Sequence, residues 1–199
     1  IVYTSGSYIY AVDALTGKSE KTFGENGKVD LRKNLGRPYN EMIVIANTPG
    51  VVYENILIQG SRVHEGPGAS PGHIRAYDLN TGELVWRFNT IPHPGEYGYE
   101  TWPKDAWKHM GGANSWAGMT LDESTGIAYI PTGSASYDFW GGNRSGENLF
   151  ANSLIALNAK NGERIWHFQF IHHDLWDRDL PAPPNLVEIN RNGSKIKAV

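Results

Sequence analysis

Ala76–Trp86, AYDLNTGELVW, decides the fold, because the same pattern stands on either side of it: AVDALTGKSEK from Ala11 to Lys21 and ALNAKNGERIW from Ala156 to Trp166. Each copy reads as a strand of small and apolar residues, an Asp or Asn, a Thr-Gly or Asn-Gly turn, and a second strand closing on or near an aromatic residue. The copies start 65 and 80 residues apart, too far for a leucine-rich or ankyrin unit and right for a four-stranded blade with long loops. A hairpin cannot bury its own apolar face, so three such units in series predict sheets stacked radially, as in a β-propeller. The closing Trp of one blade is then expected to wedge against the next. The first copy departs from the pattern, with Lys21 at the Trp position and Phe23 two residues on.

The composition is that of a turn-dense, aromatic-packed β protein, with 23 Gly, 7 Trp and 10 Tyr in 199 residues. A formal charge of −3 and the lack of basic runs exclude a dedicated nucleic-acid binder, whose footprint is a cationic face. No apolar run approaches a membrane span and nothing at the start reads as a signal peptide. Zero cysteines exclude a disulfide framework within this segment. The opening IVYTSGSYIYAVD and the closing KIKAV both read as interrupted β structure. The expectation is therefore a fragment of a larger propeller, about three blades of it: roughly 1–40, 41–115 and 116–180, with the next beginning in 181–199.

Along the chain, residues 1–12 read as two short strands turning near Ser5-Gly6-Ser7, and Phe23–Gly36 as a long Gly-rich connection. MIVIANT (42–48) and VVYENILIQ (51–59), separated by Pro49-Gly50, read as a hairpin. Glycines 66, 68 and 72 do not make a phosphate loop, because a strand and not a helix start follows them. The excursion 92–112 and the polar, aromatic and acidic loops 135–153 and 172–185 are long enough to be functional. His167, His172 and His173 do not read as a zinc cluster, since strand spacing sends neighbouring side chains to opposite faces; His173 reads instead as orienting the loop that carries Asp177.

With GGANSWAGM, IPTGS, GENLFANSLIALNAKNG and HHDLWDRDLP in view, the chain resembles the quinoprotein dehydrogenases that carry pyrroloquinoline quinone (PQQ), over essentially its whole length. FGENGKVDLR, TWPKDAWK and HDLWDRDLPAPPN are most similar to the membrane-type glucose dehydrogenases and related polyol oxidisers. The resemblance implies an all-β fold, part of an eight-bladed propeller with tryptophan docking repeats. It implies oxidation of a sugar or polyol hydroxyl, with electrons passed to a quinone or cytochrome, in the periplasm or cell envelope. Any membrane attachment would come through segments outside these residues.

Residue by residue, the resemblance places Trp116 under the PQQ ring, as the aromatic floor that a flat quinone needs. Asp177 falls at the base that takes the hydroxyl proton. Arg62, Thr48 and Asn114 fall among the PQQ contacts. Glu65 and Ser136 fall at the metal ligands; Ser136 stands where the family's alcohol dehydrogenases carry an Asn, and a hydroxyl for an amide carbonyl makes Mg²⁺ as credible as Ca²⁺. Asp174 and Asp179 are neighbours of the base. The rival expectation is a non-catalytic propeller of the outer-membrane assembly type, against which Glu65, Trp116 and Asp177 in combination count.

Overall fold

The computed structural model describes residues 1–38, 42–180 and 182–199. Its first sheet is antiparallel, β1 (Val2–Ser5), β2 (Tyr8–Ala11) and β3 (Lys28–Asp30), paired in that order. Then come β4 (Val44–Ile45), β5 (Val51–Tyr53), β6 (Ile56–Gln59), β7 (Arg62–Val63), β8 (Ile74–Asp78) and β9 (Leu84–Phe88). Of these, β5-β6-β8-β9 form a four-stranded sheet and β4-β7 a two-stranded ribbon. A second four-stranded sheet contains β10 (Thr120–Asp122), β11 (Ile127–Pro131), β12 (Ser153–Asn158) and β13 (Arg164–Gln169). A hairpin of β14 (Val187–Arg191) and β15 (Ser194–Ala198) ends the chain.

The repeated turn is built the same way each time. Gly17, Gly82 and Gly162 donate their amides to the carbonyls of Asp13, Asp78 and Asn158 at 2.8–2.9 Å. The Asp or Asn side chain of each turn accepts amides two or three residues on, from Thr16, Thr81 and Lys160 respectively. These three glycines have φ of 68°, 74° and 75°, the left-handed region where a Cβ is penalised, which is why the turn ends in Gly. Asp122 and Gly126 repeat the device in the β10–β11 hairpin. Both complete repeats also carry a bulge at the same place, Ala76/Tyr77 and Ala156/Leu157.

The sheets stack on one another, as the repeats predict. Ile58, Ala76 and Trp86 of the middle sheet pack with Ile130, Ile155 and Leu157 of the next. Leu57 and Tyr77, on the opposite face, pack with Ile9, Phe23 and Leu31 of the first. The alternation of a strand thus feeds two cores, and β6 is buried at all four positions. Trp86 wedges across the seam as expected: its Nε1 donates to the Ala159 carbonyl at 3.1 Å, and its ring lies where a Cβ on Gly162 would fall. In the first copy, where Trp is absent, Phe23 is buried in the core, Val29 and the Gly24 backbone lie against Gly82, and Gly24 donates its amide to the Thr81 carbonyl of the neighbouring sheet at 2.7 Å.

Two local expectations are corrected. The hairpin in 42–59 does not turn at Pro49-Gly50; it lies within 51–59 and turns at Glu54-Asn55, while β4 pairs with β7. The connection Phe23–Gly36 contains β3, which completes the first sheet as its third strand. The 92–112 excursion folds back over its own core of Ile91, Trp102, Ala106 and Met110. No helix among the described residues is long and apolar enough to cross a membrane.

Candidate active site

The strand ends and loops of the two four-stranded sheets and the β4-β7 ribbon enclose a cleft of about 360 Å³. Arg62 and Glu65 enter from β7 and the loop after it, Asn114 and Trp116 from the segment before β10, Ser136 and Asp138 from the loop after β11, and Asp177 and Asp179 from the loop after β13. Residues widely separated in sequence therefore meet, and six of the seven expected site residues line this one cleft. Thr48 does not: its hydroxyl donates to the Trp116 carbonyl at 3.1 Å, so it holds the main chain of the tryptophan from behind.

Trp116 is fixed at its other end as well. Its indole N–H donates to Asp179 Oδ2 at 2.6 Å, and Asp179 Oδ1 accepts the Ser134 amide at 2.6 Å. A Cβ on Gly133 would fall 2.4 Å from Asp179 Oδ1, so the glycine of IPTGS makes room for this carboxylate. Asn114 is buried, donating to the Ser61 carbonyl at 2.9 Å and accepting the Gly133 amide on its own carbonyl at 2.9 Å. The Ser136 hydroxyl lies 3.3 Å from the His64 carbonyl, which ties the two loops that carry the expected metal donors.

The loop bearing Asp177 is anchored by Asp174. This carboxylate is buried and accepts the Ser134 hydroxyl at 2.7 Å, the Arg178 amide at 2.6 Å and the Asn152 side chain at 3.2 Å. Burial alone would raise its pKa, but these donors outweigh burial and bring it below the usual carboxylate value. Arg144, fully buried, closes the anchor by donating to the carbonyls of Tyr137 and Asp174. His173 fastens the same loop through Nδ1–H to the Gly146 carbonyl at 2.9 Å, His172 pairs with Glu147, and His167 packs on Tyr97 and Phe150.

Asp177 itself is left to titrate. Desolvation, then the charges of Asp179, Glu65 and Asp174, push its carboxyl above the ordinary value. Asp138 is affected more strongly, to about 7, by burial first and then by Asp177, Glu65 and Asp179, against a single opposing Arg144. Asp138 and the clamp made by Asp179 are the two features that sequence reasoning missed. Asp179 was legible only as a neighbour of the base, and Asp138 only as one acid in an aromatic loop.

Glu65 and Ser136, carried on loops that are tied to each other, bring a carboxylate and a hydroxyl of the kind that suit a hard divalent cation. Among the described residues no group of three or more His, Asp or Glu side chains converges to hold a metal ion. The half-buried indole of Trp116, held at both ends beside Arg62, fits a flat, anionic cofactor.

Stacked four-stranded sheets, with Trp86 wedged at the seam between them and an oxygen-rich cleft at their loop ends, define the class: a β-propeller segment with a cleft on its loop face. The family described as PQQ glucose/ethanol/alcohol dehydrogenase, beta-propeller domain, matches residues 1–199, and the chain belongs to it. It is 37% identical over 196 residues to quinoprotein glucose dehydrogenase A of Acinetobacter calcoaceticus, covering 96% of this chain and 24% of that protein. It is 31% identical over 195 residues to the glycerol dehydrogenase large subunit of Gluconobacter oxydans, covering 96% and 26%. Among solved structures it is similar to the quinohemoprotein alcohol dehydrogenase ADHIIG of Pseudomonas putida, with a TM-score of 0.78, 28% identity, and coverage of 98% of this chain and 29% of that one. The chain spans about a quarter of the length of the curated relatives it matches.

Proposed function

We propose that the protein containing this chain is a PQQ-dependent dehydrogenase that oxidises a hydroxyl of a sugar or polyol, and that Asp177 is its base. The observation that carries this reading is the shared cleft: a carboxyl with a raised pKa beside an indole clamped by a second carboxylate. PQQ supplies the acceptor for the two electrons that leave an alcohol carbon as it becomes a carbonyl, and a bound Ca²⁺ or Mg²⁺ supplies a Lewis acid.

The chain's own residues do the rest. Trp116 provides the floor, kept in place by Asp179 and Thr48. Arg62 and Asn114 supply a cation and an amide for the cofactor's polar edge, and Glu65 with Ser136 supply oxygens for the cation. Asp177 Oδ accepts the proton of the substrate hydroxyl, and desolvation with the neighbouring charges holds its carboxyl above the ordinary value, which strengthens it as a base. The glucose-type substrate rests on the glucose and glycerol dehydrogenases among the relatives. A quinone or cytochrome acceptor and a periplasmic or envelope location belong to the same reading.

The test is a PQQ titration of the intact protein with Mg²⁺ or Ca²⁺, followed by dye reduction with glucose and with a short alcohol. Metal-dependent PQQ binding with substrate-dependent reduction is expected. Asp177→Asn is expected to keep PQQ affinity within a few-fold and to lower turnover by about 10²–10⁴-fold; wild-type turnover in that variant refutes the assignment.

A further inference from the structure

The cleft contains one acidic group that neither the base nor the cofactor contacts account for. Asp138 is 6% exposed and lines the cleft beside Asp177; no donor from the described residues pairs with its carboxylate, whose oxygens are not sealed off from the cleft. A buried carboxylate without a donor is costly unless something else supplies one. Arg144, its nearby cation, donates instead to Asn148 Oδ1 and to the carbonyls of Tyr137 and Asp174, and its Nε is without a partner among the described residues. A hydroxyl group entering from the cleft satisfies the carboxylate directly.

We propose that Asp138 accepts a hydrogen bond from a second hydroxyl of the substrate, adjacent to the one being oxidised, and so selects polyhydric over monohydric alcohols. This rests on the reading of the cleft as a hydroxyl-oxidising site. A substrate with one hydroxyl presents it to Asp177 and leaves Asp138 without a donor; a vicinal diol presents one hydroxyl to each. The surroundings suit such a ligand. Phe139 and Trp140 follow Asp138 in the chain and Trp176 precedes Asp177, and a Cβ on Gly141 would touch His173 and Leu175, so the two loops that bring the carboxyls are packed together.

The experiment compares substrates that differ by the neighbouring hydroxyl, glucose with 2-deoxyglucose and ethylene glycol with ethanol, in the intact PQQ- and metal-loaded protein and in Asp138→Ala. The wild-type protein is expected to favour the vicinal member of at least one pair by about 10- to 100-fold in kcat/KM, and the variant to erase that preference. PQQ affinity, read by titration, is expected to stay within a few-fold. A preference that survives in Asp138→Ala overturns the proposal, as does an equal loss on both members of a pair, which would assign Asp138 to cofactor or base. Absence of PQQ-dependent turnover of any substrate by the wild-type protein refutes the underlying reading instead. The calorimetric affinity of glucose for the metal-loaded, PQQ-free protein and for its Asp138→Ala variant then still decides the hydroxyl contact: tighter binding by wild type supports it, and equal binding overturns it.

Discussion

Asp179 shows what a single side chain contributes here. Its two oxygens accept the Trp116 indole N–H and the Ser134 amide, both at 2.6 Å, so one carboxylate joins the aromatic floor to the loop after β11. An Asn at this position offers only one acceptor, and one of the two donors faces an amide NH₂ instead. Asp179→Asn is therefore expected to weaken PQQ binding by about 10- to 100-fold in a titration. The charge of Asp179 is also the foremost of the neighbouring charges that raise Asp177. The acid limb of the pH–rate profile, where the base is lost by protonation, is accordingly expected to move to lower pH in the variant; a purely structural role would leave that limb in place. None of this was legible in the sequence. Asp179 lies 63 residues from Trp116, and nothing in DLWDRDLP says which of its three acids reaches back. The bond of Thr48 was hidden for the same reason, since its partner is a main-chain carbonyl 68 residues away.

At the scale of the element, the legible part was the part that repeats. The Asp or Asn, Thr or Asn, Gly sequence fixes a local turn by hydrogen bonds within five residues, and all three copies form it. The hairpin at 51–59 was misread because Pro49-Gly50 is the stronger turn signal in sequence, whereas the chain reverses at Glu54, which takes φ of 52°. Strand β3 was hidden because its three residues follow a Gly-rich run and gain their stability from pairing with β2. The closing Trp, by contrast, was predictable in both place and task. Trp86→Ala is expected to cost about 3–5 kcal/mol, and Trp86→Phe about 1–3 kcal/mol through loss of the bond to Ala159, read from chemical denaturation of the intact protein.

The whole molecule stores a pH dependence away from the cleft. His73 is buried, its Nδ1 accepts the Thr90 amide at 3.1 Å, and its pKa lies well below 6.5. Burial is the main cause, with Arg87, His93, Arg75 and Arg37 adding positive charge nearby. The native ring stays neutral where the unfolded chain binds a proton. This contribution is therefore fully present above pH 6.5 and is lost as pH falls below it. The loss runs at about 1.4 kcal/mol per pH unit until the folded group itself titrates. Replacing His73 with Gln, whose carbonyl oxygen can accept the same amide, is expected to flatten the decline in the denaturation midpoint between about pH 7 and pH 5. A slope equal to that of the wild-type protein would show that the ring does not carry it.

The Trp86 seam also has a mechanical meaning. An outermost strand is ordinarily the easiest to strip from a sheet, because its bonds open one at a time. Here β9 is clasped from the side by the Ala159–Gly162 turn of the following sheet, so tension along the chain meets an indole that must slide out sideways before the strand can peel. The seam thus couples the two four-stranded sheets, whereas the first sheet meets its neighbour without an indole and is held there by the Gly24 amide and the Thr81 carbonyl.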